Sequence, residues 1–214
     1  MSRLWIRLVF TLIVCCGACC AQWELGLLGG GAMASVGTSI SNGTAGSANS
    51  GFKEGFVGGA LLGSDSNDHW AGEVRYLYRS GDAKLSSGSS EATFAAYQQI
   101  VHFDLLYHFQ KRSSKVRFFV AAGGGGRFMS ATGSGSAYQP LSEIAILTHG
   151  RQTVGVIDAG AGVKFKIGSR LSFRIEAHDY LSPAPSTVIA PVPGAKSSGW
   201  MSDIMPLAGL SYNF

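Results

Sequence analysis

Apolar and polar residues alternate along most of this chain, the period-two signature of extended strands with two unlike faces. Segment 97–109 shows it most plainly. Val101, Phe103, Leu105, Tyr107 and Phe109 share one face, and His102, Asp104 and His108 the other. Similar patterns predict strands at 23–32, 52–62, 70–79, 116–129, 152–166, from 171 onward, and at 201–214. Phe52, Phe56, Ala60 and Leu62 are expected to share a face. Trp70, Val74, Tyr76 and Tyr78 oppose Glu73, Arg75 and Arg79; Ile157, Val163 and Phe165 oppose Asp158 and Lys164; Phe173 and Ile175 oppose Arg174, Glu176 and His178.

The eight strands are joined by connections that alternate long and short. Three turns (64–69, 110–115, 168–170) have about three to six residues and four connections (35–50, 80–96, 130–151, 181–199) about 15 to 22, the asymmetry of an up-and-down barrel with short periplasmic turns and long external loops. A soluble sandwich has no reason to segregate its connections this way. The long connections are rich in Gly, Ser, Thr, Asn and Ala, a composition that predicts mobile surface loops. The last is more apolar, is stiffened by Pro191 and Pro193, and is expected to fold over the mouth or meet another surface.

Composition sharpens this picture. Hydrophobic residues make up 46% of the 214 and charged ones 14%, yet no apolar run is long enough for a membrane helix. Thirty residues are glycine, against an ordinary share of about 7%. Residues 1–21 read as a cleaved secretory signal peptide: Arg3 and Arg7, then an apolar core, then small residues. Cleavage after Ala21 leaves 22–214 as one domain. Gly17-Ala18-Cys19 offers a second reading, lipoprotein processing at Cys19. Cys15, Cys16, Cys19 and Cys20 all lie in the leader, so disulfide, zinc-thiolate and thiol chemistry leave with it. Losing Arg3 and Arg7 lowers the 17 basic residues to 15 against 13 acidic ones, a charge of +2, too balanced for nucleic-acid binding.

The C-terminal stretch LAGLSYNF alternates Leu210, Tyr212 and Phe214 against Gly209, Ser211 and Asn213 and ends on an aromatic. It resembles the C-terminal signal strand of bacterial outer-membrane β-barrels, with Gly209, Tyr212 and Phe214 matching and Leu207 standing where a polar residue is preferred. With the strand count and loop asymmetry, the whole mature chain is similar to the OmpA/OmpX-like transmembrane β-barrel family. The resemblance implies an all-β, eight-stranded antiparallel up-and-down transmembrane barrel in the cell outer membrane, monomeric, surrounded by outer-membrane lipids and lipopolysaccharide. It implies assembly by periplasmic chaperones and the barrel assembly machinery.

In such a barrel the apolar face meets lipid. The polar face, with Glu24, Glu73, Asp104, Asp158 and Glu176 against Arg75, Arg117, Arg127, Lys164 and Arg174, lines a narrow lumen where the charges pair. A soluble lipocalin-like barrel would reverse the faces. Eight strands enclose a bore that side chains can fill, which argues against an open pore. The expected lumen network is Glu73, Arg75, His102, Asp104, His108, Arg117, Asp158, Lys164, Arg174, Glu176 and His178, with His108 near Arg117 across the short turn.

Candidate chemistry is sparse. Gly29–Gly31 and Gly123–Gly126 lack the Lys-Ser/Thr and the helix of a phosphate loop, so glycine there serves strand packing. His102 and Asp104 lie ~7 Å apart along one face and could touch one ion, but His108 is ~20 Å from His102, and two ligands are too few for a tight site. Lipid A deacylases of this architecture need Ser and His two apart on a lipid-facing strand, whereas here His178 is followed by Asp179 and Tyr180. The sequence predicts no catalytic residues, no cofactor and no metal. It predicts a non-enzymatic structural or surface-interacting barrel, with a narrow channel for small solutes and a lipid A-modifying hydrolase as alternatives.

Overall fold

The structure, a computed structural model, describes residues 22–43, 45–133 and 139–214. The expected signal peptide and its cleavage site therefore lie outside the described residues. In chain order the strands are β1 (Gln22–Ala32), β2 (Val36–Asn42), β3 (Gly46–Phe52), β4 (Gly55–Asp65), β5 (Trp70–Ser80), β6 (Ala83–Ser87) and β7 (Ser90–Phe94). There follow β8 (Ala96–His108), β9 (Val116–Ala131), β10 (Ala145–Leu147), β11 (Gly150–Lys166), β12 (Leu171–Pro183), β13 (Ile189–Pro191) and β14 (Lys196–Asn213).

Eight of these close a barrel in the order β1-β4-β5-β8-β9-β11-β12-β14, with β14 returning to β1 through Glu24↔Asn213 to Gly30↔Leu207. Every neighbouring pair is antiparallel. Closure pairs the outermost strands and leaves no free edge along the spanning part. The turn between β4 and β5 shows how sequence sets a corner: Asn67 Oδ1 accepts from the amides of His69 and Trp70, both at 2.9 Å.

The apolar face looks outward. Phe103 is 52% exposed and Ile175 49%, whereas Arg75 and Asp104 are 0% exposed. Trp23, Trp70, Phe109, Tyr212 and Phe214 are exposed near the short-turn end, where Trp70 stacks edge-on against Tyr107 at 5.1 Å and Tyr212 against Phe214 likewise. Phe52 departs from expectation. It belongs to β3 rather than to the barrel strand, which begins at Gly55, and it is buried.

The long connections also depart from the expected mobile loops. Their described parts are strand extensions folded into hairpins. β2 continues from β1 and pairs with the outer part of β14, then β2 pairs β3, β3 pairs β6 and β6 pairs β7. Gly88, at φ +56°, makes the tight β6–β7 corner that a side chain would disfavour. Outward positions are mostly polar or small, and inward ones are mostly apolar, with Thr38 and Ser50 as buried polar exceptions. Ile40, Phe52, Leu85, Phe94, Met129 and Ile144 pack with Leu147, Val188 and Ile189 into an apolar cap over the long-connection end. β10 and β13 pair as a separate two-stranded ribbon, pinned by Gln139, whose side chain accepts from Leu147 N at 2.9 Å and donates to its carbonyl at 3.1 Å. The Pro-rich connection thus folds over the mouth, the first of its two expected fates.

Candidate functional site

Period-two geometry delivers every inward side chain of the eight strands into one narrow bore, where burial sorts them into tiers. Nearest the cap, Arg79 of β5, Arg127 of β9 and Asp203 of β14 form a small charged cluster. Below it lies an apolar layer of Leu28, Leu61, Leu77, Ile100, Val156 and Met205. The main charged tier is next, and Ala71, Leu106, Phe119 and Ala121 pack beneath part of it toward the short turns.

The main tier spans the bore. β5 and β12 are four places apart among the eight barrel strands, so they face each other across its diameter. Arg75 Nη1 reaches from β5 to Glu176 Oε1 on β12 at 2.8 Å, while its Nη2 holds Glu73 at 2.7 Å and its Nε lies 3.0 Å from Asp104 Oδ2. Arg174 answers from the other side, with Nη2 2.6 Å from Glu176 and Nη1 3.0 Å from Glu73. Lys164 Nζ bridges Glu24 at 2.7 Å and Glu73 at 2.9 Å. His178 Nδ1 lies 3.0 Å from Asp158 Oδ2, and Tyr180 Oη 3.3 Å from His102 Nε2. Burial without partners would be costly for each ion, and the network supplies most of them with charge-assisted bonds.

Room for these side chains comes from facing glycines. Gly160 lies opposite His178 in the β11–β12 ladder, and a Cβ there would stand 2.5 Å from the imidazole ring. Two members of the predicted network make no hydrogen bond or ion pair to the main tier. The ladder sets His108 opposite Phe119, whose ring lies 5.7 Å away, with Arg117 two residues along from Phe119 on the same inward face. Arg117 instead pairs with Asp65 at the end of β4, at 3.0 Å, because both side chains sit at the short-turn rim.

Sequence reasoning missed Asp203, Tyr180 and Asp65 as lumen residues. Asp203 alternates with Met201, Met205 and Leu207, so β14 is apolar on both faces and gives no polar stripe to read. Leu207 is likewise an inward residue of the apolar layer. At the barrel end Gly209 points inward, and Tyr212 and Phe214 outward.

The outer wall carries one notable polar pair, Ser202 Oγ donating to Asp179 Oδ1 at 2.7 Å. His178 is turned into the lumen, so among the described residues no imidazole joins that pair on the lipid side.

The chain aligns with Neisserial surface protein A at 14% identity over 91% of this chain and 97% of that one, with a TM-score of 0.54. It aligns with OprG from Pseudomonas aeruginosa at 11% identity over 89% and 95%, with a TM-score of 0.57. At such identities the likeness shows the shared fold alone. None of the curated protein sequences compared with the chain matches it. The sequence model of the outer membrane protein beta-barrel domain matches residues 10–183, most of the chain. The chain belongs to the outer membrane protein beta-barrel domain family, and its place is the cell outer membrane.

Proposed function

We propose that this protein is a closed, non-enzymatic barrel with a structural or surface-interacting role, exercised through its folded external cap rather than through transport. The observation that carries this reading is the filled bore: Arg75, Arg79, Arg127 and Arg174 lie within it at 0–1% exposure, with an apolar layer between the two charged tiers. A solute path needs continuous wet cross-section, and eight strands leave little beyond their own side chains. The cap supports the surface role. Its described residues form β-hairpins with a cleft of about 340 Å³ whose lining includes Ser35, Thr38, Asn49 and Lys84 together with Val36 and Phe52. The inward turn of His178 weighs against a lipid-cleaving site at the outer wall.

On this reading the protein is a monomer, needs no cofactor and does not bind nucleic acid. Its apolar girdle sits among outer-membrane lipids and lipopolysaccharide, and the Gly209, Tyr212 and Phe214 strand is what periplasmic chaperones and the barrel assembly machinery engage. Planar-bilayer recording of the refolded protein tests it. A silent bilayer is expected, while steady current steps of fixed size would make it a narrow channel. Release of acyl chains from lipopolysaccharide, lost in His178→Ala, would make it a hydrolase.

A further inference from the structure

The main charged tier is out of balance. Among the described residues it holds five carboxylates (Glu24, Glu73, Asp104, Asp158, Glu176) and three permanent cations (Arg75, Lys164, Arg174). The carboxylates outnumber these cations by two, an excess that is costly in a water-poor interior unless His178, which lies beside both Asp158 and Glu176, or a bound cation offsets it. The excess is concentrated on one wall. Arg75, Arg174 and Lys164 gather on Glu73, Glu176 and Glu24, whereas Asp104 meets Arg75 at 3.0 Å and the His102 imidazole at 3.4 Å through one oxygen, Oδ2, and Asp158 meets only His178.

That wall has an unusual construction. Asp104 of β8 and Asp158 of β11 are both in register with Gly123 of β9, which lies between them. A Cβ at Gly123 would stand 2.2 Å from Asp104 Oδ1, so only glycine lets the two carboxylates approach across the intervening strand. His102 stands two residues from Asp104 on the same face. One ligand atom from each of His102, Asp104 and Asp158 lies within 4.8 Å of the others. All three residues are buried, at 2%, 0% and 5% exposure. His102 Nδ1, Asp104 Oδ1 and Asp158 Oδ1 have no hydrogen-bond partner. Around them Tyr180 meets His102 and His178 meets Asp158, the outer contacts that usually fix metal-ligand orientation.

We propose that His102, Asp104 and Asp158 form a site for one first-row divalent cation of the Zn2+ type, sealed in the barrel wall. One imidazole and two carboxylates are a three-ligand set for such an ion, with bonds of about 2.0–2.2 Å. The ion's positive charge offsets the tier's excess of carboxylates. The sequence alone offered two ligands on β8; the fold brings the third from β11. The apolar layer lies on the cap side and Phe119 with Leu106 on the other, and the three ligands are buried, so the ion enters as the barrel closes.

The test uses untagged protein refolded from urea into detergent with ZnCl2, desalted, and analysed for metal by mass spectrometry. Folding is verified by heat-modifiable gel mobility. One Zn2+ per folded chain is expected, falling at least tenfold in His102→Gln and in Asp158→Asn. A wild-type barrel without bound zinc overturns the proposal, as does wild-type stoichiometry in either folded variant. X-ray absorption of the wild-type zinc protein keeps the test decisive if the variants do not fold. One imidazole with carboxylate oxygens supports the site, and two or more imidazoles refute it.

Discussion

Replacing Asp203 by asparagine removes the one carboxylate that, among the described residues, pairs with the buried guanidiniums of Arg79 and Arg127. Arg127 Nη1 bonds Asp203 Oδ2, Arg79 Nη2 lies 3.5 Å from Oδ1, and the hydroxyl of Ser35 donates to the same carboxylate. Both arginines are 0% exposed, and no other ion pair reaches either among the described residues. Arg79 also donates to the carbonyls of Lys53 at 2.9 Å and Met33 at 3.2 Å, and Arg127 to that of Tyr180 at 3.4 Å, so polar contacts survive the substitution while charge compensation does not. Removing one partner of a buried pair costs about 3–5 kcal/mol, and two orphaned cations put Asp203→Asn at the upper end.

Glu73→Gln provides the internal scale. Its three cations each keep another carboxylate: Arg75 keeps Glu176 and Asp104, Arg174 keeps Glu176, and Lys164 keeps Glu24. Its cost should sit near about 3 kcal/mol, the lower end of the same range. Urea titration of the barrel refolded in lipid vesicles, followed by tryptophan fluorescence, reads both. With a slope of ~2 kcal/mol per M, Asp203→Asn lowers the midpoint by roughly 2.5 M and Glu73→Gln by roughly 1.5 M. A loss below about 1 kcal/mol for Asp203→Asn would mean that water screens the guanidiniums as it does at a protein surface. The sealed-lumen argument would then be wrong.

Two further substitutions probe the cap and the lumen spacing. Phe52→Ala should cost the external hairpins about 3–5 kcal/mol of packing and open them to protease, while the spanning strands remain protected; equal cleavage of wild type and variant would show that the cap is not cohesive. Gly160→Ala, whose new methyl would meet the His178 ring, should cost about 1–3 kcal/mol, whereas Gly155→Ala, with nothing within 4 Å, should be neutral; matching effects at the two sites would refute the packing account.

The sequence made the barrel legible where one face of a strand is charged and the other greasy. β8 is the best case, because His102 and Asp104 interrupt Val101, Phe103 and Leu105 at every second position. β14 hid its lumen face, because Met201, Met205 and Leu207 point inward and Leu210 and Tyr212 outward, so hydropathy carries no parity. The hairpins beyond the membrane were misread for a different reason. Ser39, Ser41 and Ser47 look like loop residues when counted, yet they are the outward half of strands whose inward half is Ile40 and Ala48. The spacing of Ala83 with Leu85 and of Ala92 with Phe94 was the available signal. Cross-strand register was not available at all. That Gly123 would stand between Asp104 and Asp158 depends on how β8, β9 and β11 align, which no single segment encodes.

The assignment of the two faces is tested most directly by spin labels at single cysteines replacing, one at a time, Val101, Phe103 and Leu105, and Ile100 and Leu106, in barrels refolded into bilayers. Collisional relaxation by dissolved oxygen, which concentrates in hydrocarbon, should be high at 101, 103 and 105 and low at 100 and 106. Low values at the first three with high values at the other two, or no alternation between neighbours, would contradict a greasy exterior around a sealed ionic lumen.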